Sequence, residues 1–154
     1  MHNVLCAFWC GFLDALDEYY QLLGMPPTGR TERTKAAFIR TFYNEATGLF
    51  CDSPALTHSA VHSNILPLLF HIGTEDEALK RRLIDFIAKK KLTSSGVYMA
   101  YFALAALVRE GERELAGKLV LDPGCWLNML AEGATTVYEA WGKDQKWNTS
   151  LFHP

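Results

Sequence analysis

The sequence predicts an all-α domain built from helical hairpins, and three observations carry that prediction. Apolar residues recur at three- and four-residue steps in one segment after another, which is the helical period. Segments with no Asp, Glu, Lys or Arg (57–72, 95–108, 125–131) alternate with segments charged along one face (31–43, 75–90, 112–121). A helix apolar all round requires burial on all sides, whereas one with a charged face can lie outside it. The connections are short, which favours antiparallel neighbours. This alternation suits the two rings of an α/α toroid, and a helical solenoid gives a similar one. The units are not self-similar, so no repeat protein is indicated.

The first helix spans 4–23, with Leu5, Trp9, Phe12, Leu13, Leu16, Tyr20 and Leu23 on its apolar stripe. Gly24 stops it and Pro26-Pro27 prevent a restart. Thr31 and Glu32 suit the cap of a second helix over 31–43, with Phe38, Ile39 and Phe42 opposite Arg33, Lys35 and Arg40. Residues 44–51 form a turn and a short extended piece. The charge-free segment 57–72 reads as a helix kinked at Pro67 and ended by Gly73, carrying His58 and His62 on one face. The helix over 75–90 has acids early and lysines late, as the helix dipole prefers, with Leu79, Leu83, Phe86 and Ile87 as its stripe. Ser94 and Ser95 precede an uncharged helix rich in Tyr98, Tyr101 and Phe102, which Gly111 breaks. A short amphipathic helix over 112–121, a turn at Asp122-Pro123-Gly124 and a short apolar helix over 125–131 lead into the tail.

The chain has 154 residues, 49% hydrophobic and 21% charged, with a formal net charge of -2. That is enough for one domain with a core, and too apolar for disorder. Lys80-Arg81-Arg82 and Lys89-Lys90-Lys91 fit a solvated helix face and a helix C-terminus, so nucleic acid is not an expected partner. No apolar run approaches the roughly 20 residues that cross a bilayer. The N-terminus lacks a basic lead and soon carries Asp14, Asp17 and Glu18, so no signal peptide and a cytoplasmic location are expected. Cys6, Cys10, Cys51 and Cys125 have no CxxC spacing and read as free thiols. His58 and His62 have the spacing of a zinc pair, but no carboxylate or third ligand accompanies them. No metal and no cofactor are expected.

The tail, GATTVYEAWGKDQKWNTSLFHP from Gly133 to Pro154, concentrates groups that handle sugars. Glu139 lies between Tyr138 and Trp141, and a carboxylate so framed suits proton transfer beside a sugar ring. Asn148, Ser150 and His153 add polar partners for hydroxyls. The alternative is a surface loop pinned to the core by Trp141 and Trp147. Each of these rings is either a sugar platform or a core anchor; Trp147 fits packing better, whereas Trp141 could do both.

GATTVYEAW followed by NTSLFHP resembles the C-terminal catalytic segment of α-L-rhamnosidases and related six-hairpin glycosidases. DSPALTHSAVHSNILPL (52–68) and SSGVYMAYFALAAL (94–107) resemble helices of the same group, in the same order. The resemblance implies the later part of an (α/α)6 toroid, with residues 1–154 as one domain. It places Glu139 at the general base of an inverting hydrolysis of terminal rhamnosides and His153 at a sugar-binding position. Tyr138, Trp141, His58 and Asn148 are further substrate-binding candidates, and the substrate is a carbohydrate. Inversion needs a second carboxylic acid roughly 6.5–9.5 Å from the base. In the resembling family that acid precedes the segment matching Met1, and no matched motif here contains it. A fragment inactive alone is therefore expected, with self-association through exposed inner helices. The alternative is a non-catalytic interaction or carbohydrate-binding remnant.

Overall fold

Residues 2–153 are described by the structure, a computed structural model of the chain. Among them are seven α-helices, one two-stranded hairpin and a short 3-10 turn, so the chain is mostly helical as its periodicity predicts. They form two compact units, 1–86 and 87–154, with the boundary inside the fourth helix.

In the first unit, α1 (Asn3–Leu22) buries Asn3, Ala7, Cys10 and Leu13. Of the expected apolar stripe only Leu13 is in the core, while Leu5, Trp9, Phe12 and Leu23 are exposed. Polar anchors set this rotation. Asn3 donates its backbone N–H to the Asp52 carbonyl (3.0 Å) and its side-chain amide to the Cys51 carbonyl (2.9 Å). One turn after another on that face, Asp14 meets Lys35 at 2.9 Å, and Asp17 accepts from the Thr28 N–H and the Thr31 hydroxyl. Residues 3, 7, 10, 14 and 17 follow the helical repeat, so the small and polar face turns inward. Thr31 therefore does not cap α2 (Thr31–Phe42), because its hydroxyl is committed to Asp17 and α2 has no side-chain cap.

Phe38 and Phe42 of α2 meet the hairpin of β1 (Tyr43–Asn44) and β2 (Leu49–Phe50), in which Tyr43 pairs with Phe50 and Asn44 with Leu49. Gly48 closes the hairpin at φ 67°, and a Cβ there would lie 1.6 Å from the Arg82 guanidinium. The positive φ is what favours glycine here, since the Arg82 side-chain end can move aside. The helix expected over 57–72 is much shorter: α3 spans His62–Leu69, buried from Ser63 to Leu69 with Pro67 inside it. The preceding residues are held in irregular backbone by two side chains. Asp52 accepts from Ala60 N–H (2.8 Å) and the Ser63 hydroxyl (2.6 Å). Asn64 accepts from Phe50 N–H (2.9 Å) and donates to the carbonyls of Phe50 (3.1 Å) and Ala60 (2.9 Å). Such side-chain bonds compete with the helical ladder. His58 consequently lies outside the helix, and the shared helical face expected for His58 and His62 does not exist. α4 (Glu77–Lys90) starts on Asp76, whose carboxylate accepts from the N–H groups of Ala78 and Leu79, and Leu79, Leu83, Ile84 and Ile87 are buried.

The second unit continues through the 3-10 turn (Leu92–Ser94), α5 (Val97–Arg109), α6 (Arg113–Val120) and α7 (Trp126–Ala131). Ser94 and Ser95 do not cap α5; their hydroxyls bond back to the carbonyls of Lys90 and Leu92. α5 buries Ala100, Ala103, Ala106 and Leu107, and leaves Tyr98 and Tyr101 exposed. α7 buries Met129 and exposes Leu127 and Leu130. The expectation that every uncharged helix is buried on all sides thus holds only for α3. In α5 the alanine face is the one that admits a close neighbour. All four cysteines are free, and burial pushes the Cys10 thiol up to about 11.

Candidate active site

The tail is built onto α7. Gly133, in the left-handed region at φ 85°, ends that helix, with Ala134 N–H bonded to the Met129 carbonyl (2.9 Å). From α7, the Asn128 amide donates to the Trp141 carbonyl (2.8 Å) and to Glu132 Oε1 (3.1 Å), while Glu132 Oε2 accepts from Lys143 N–H (2.8 Å). A Cβ on Gly142 would come within 3.2 Å of both side chains, so the glycine lets the tail close on this clamp. The Trp141 indole N–H donates to the Ser95 carbonyl (2.7 Å), and its ring meets Trp126 edge-on at 4.9 Å. Tyr138 and Trp141 are both buried. Either side of Glu139 the chain is anchored by an aromatic ring in the core of this unit.

Between those anchors, residues 137–139 run beside 150–153. Glu139 N–H donates to the Ser150 carbonyl (3.0 Å), Ser150 N–H donates to Glu139 Oε2 (3.2 Å), and His153 N–H donates to the Val137 carbonyl (2.9 Å). The intervening residues, 140–149, form a loop closed at its base. Lys146 returns from that loop to place Nζ 3.2 Å from Glu139 Oε1. The Ser150 N–H first, then Lys146 and more weakly His153, hold the Glu139 carboxyl below its usual range. A carboxylate offers about four lone-pair sites, so each Glu139 oxygen retains one after these contacts. His153 Nε2 is hydrogen-bonded to the Tyr98 hydroxyl, the two rings edge-on with centroids 5.3 Å apart. An ionised carboxylate and an imidazole thus stand on one hydrogen-bonded segment, and a phenol from α5 bonds the imidazole.

The rest of the candidate set is dispersed. Asn148 is exposed at the loop tip. Trp147 is 97% exposed, which corrects the expectation that it packs. Lys146 and Thr149 pinch the loop through reciprocal bonds of 3.1 Å, and the turn between them carries the indole outward. His58 belongs to the first unit, where its exposed ring bonds Asp52 through Nδ1 at 2.6 Å. Burial pushes the Asp52 carboxyl up, but hydrogen bonds from Ser63, His58 and Ala60 together outweigh it and keep it below the usual range. His62 is half-buried, and that burial lowers its pKa. The first unit also has an open cleft of about 560 Å³ beside the hairpin, lined by Tyr43, Asn44, Glu45, Ser53 and Thr57 among others. Among the described residues there is no cluster of three or more His, Cys, Asp or Glu side chains placed to hold a metal. No described helix is long and apolar enough to cross a membrane.

Sequence reasoning missed Lys146 and Tyr98 as partners of the candidate groups. Lys146 sits seven residues from Glu139 in a segment without period, and Tyr98 is 55 residues from His153. Neither separation leaves a local pattern. A family model described as the bacterial alpha-L-rhamnosidase 6 hairpin glycosidase domain matches residues 28–154. No curated protein and no solved structure matches the chain.

Proposed function

We propose that this chain, which belongs to the six-hairpin glycosidase family of bacterial α-L-rhamnosidases, supplies the general-base side of a site that hydrolyses terminal α-L-rhamnosides with inversion. The family relation makes a carbohydrate the substrate class; rhamnose and the role of each residue are parts of the proposal. The observation that carries it is the Glu139 carboxylate, held ionised by Ser150 N–H and Lys146 on the segment that also presents His153. In this reading Glu139 takes a proton from water as the water oxygen attacks the anomeric carbon. The bond to the leaving oxygen breaks, and a carboxylic acid on the opposite side protonates that oxygen. His153, braced by Tyr98, and Asn148 hydrogen-bond sugar hydroxyls. Tyr138 and Trp141, being buried, serve as the wall behind Glu139. His58, paired with Asp52, is read separately as a polar sugar contact within the first unit.

We assign the general acid to residues outside these 154, so the chain is one part of a longer catalytic domain. The purified chain is expected to show no enzymatic turnover of an aryl α-L-rhamnoside. Robust release of the phenol would defeat that assignment, because it would require both carboxylates within residues 1–154.

One observation favours a second reading. Both Glu139 oxygens already have partners within the tail, which suits a carboxylate that only ties the loop. The chain would then be a non-catalytic interaction or carbohydrate-binding remnant.

Self-association is the further part of the proposal. Leu5, Trp9, Phe12 and Leu22 of α1 are exposed, as are Tyr98 and Tyr101 of α5. Exposed apolar surface of this kind drives association. Light scattering should show mass rising with concentration, and a constant monomer mass over a broad range would refute the idea.

A further inference from the structure

An indole in water leaves a large apolar surface uncovered, and tryptophan is highly buried on average. Trp147 is nevertheless 97% exposed, in a loop that is otherwise well fixed. The loop is closed at its base by the Glu139–Ser150 bond (3.0 Å) and clamped after Trp141 by Asn128 and Glu132. At its tip, Lys146 N–H donates to the Thr149 hydroxyl, which donates in turn to the Lys146 carbonyl, both at 3.1 Å. Trp147 and Asn148 lie between those two residues. Lys146, next to Trp147 in the chain, reaches the Glu139 carboxylate at 3.2 Å. The exposed ring is therefore tethered one residue away from a direct contact of the proposed base.

We propose that Trp147 is a stacking platform for the apolar face of a pyranose ring, with Asn148 offering its amide to that sugar's hydroxyls. This deepens the carbohydrate site proposed above and rests on it. The flat indole face matches the CH face of a sugar. A rigid aromatic loses little side-chain freedom on binding, since only two torsions are fixed. The neighbouring amide supplies both a donor and an acceptor.

The test is an NMR titration of the full 154-residue chain with methyl α-L-rhamnopyranoside, with mannitol as an acyclic control. The Trp147 indole N–H signal is assigned by its loss in Trp147→Phe. It should shift saturably with the glycoside and not with mannitol, while the buried Trp141 indole stays in place. Trp147→Ala should weaken the affinity read at the Ser150 amide by about five- to tenfold, and Trp147→Phe, which keeps a ring, by less than about threefold. A glycoside-induced shift at Ser150 with none at Trp147 would overturn the platform and leave the carbohydrate reading standing. No shift at either position would remove both. Broadening of the Trp147 signal with protein concentration, without any response to glycoside, would show a contact between copies instead and overturn it too.

Discussion

In a form of the protein that contains both carboxylates, Glu139→Gln is expected to lower turnover by roughly 10²–10⁴-fold, the usual cost of removing a positioned base. Sugar affinity should change little, because the isostere keeps its shape and still accepts from Ser150 N–H. Loss in kcat with KM nearly constant is the signature of an interaction made only in the transition state. The pH profile supplies a second check. The folded-state pKa of Glu139 is depressed by Ser150 N–H and by Lys146. Its ionised form is therefore fully present above the ordinary glutamate range and is lost as pH falls through the lowered value. The acidic limb of the rate profile should lie below that range, and Lys146→Ala should move it upward. The stability that ionised Glu139 adds is lost over the same acidic window. Near-parental turnover in Glu139→Gln would leave Glu139 as the loop tie of the second reading. Joint loss of folding, binding and activity would lead to the same conclusion.

The parts of the fold legible in the sequence are those where one face is charged. In α2 and α4 the polar face excludes itself from the core, so Phe38, Phe42, Leu83 and Ile87 were identifiable from periodicity alone. In α1 the same rule selected the wrong face, and in α5 it implied burial on all sides where only one side is buried. The buried sides are mostly small, Asn3, Ala7 and Cys10 beside Leu13 in α1 and three alanines beside Leu107 in α5. The rotation of α1 depends on Asn3, Asp14 and Asp17 meeting Cys51, Lys35 and Thr31, which are distant in sequence. Apolar periodicity weighs each helix in isolation and assigns polar residues outward, so an inward polar face defeats it.

The site divides in the same way. Glu139 and His153 stood out as candidates because a family motif is local. Their surroundings were not, since Lys146, Ser150 and Tyr98 reach them only through the folded loop. Trp147 shows the limit of composition: two tryptophans six residues apart in one tail have opposite environments. Trp141 finds a buried carbonyl on Ser95, and Trp147 stands at the tip of a pinched turn. The segment before α3 failed for a related reason. Its residues carry no charge and read as helix, yet Asp52 and Asn64 at its borders capture its backbone groups.

Asn64 is therefore expected to be the most costly single position in the first unit. Its side chain is fully buried and replaces a missing strand partner, accepting from Phe50 N–H at 2.9 Å and donating to the Phe50 carbonyl at 3.1 Å and the Ala60 carbonyl at 2.9 Å. Asn64→Ala would strand the N–H and carbonyl of Phe50, a residue with no exposed surface. Each buried group left without a partner costs about 1–3 kcal/mol, so the variant should lose about 3 kcal/mol in urea unfolding. Asn64→Asp separates hydrogen bonding from packing. It keeps the acceptor for Phe50 N–H but sets carboxylate oxygens against two carbonyls. Burial and those carbonyls should raise the folded-state pKa of the new aspartate above its unfolded value. Its ionisation is then disfavoured by folding, so the variant is most stable below the unfolded value and loses stability as pH rises past it. A loss below about 1 kcal/mol in Asn64→Ala, together with pH-independent stability in Asn64→Asp, would show that the backbone of 50–60 holds its course without this side chain. In that case Asp52 alone would have to account for the late start of α3.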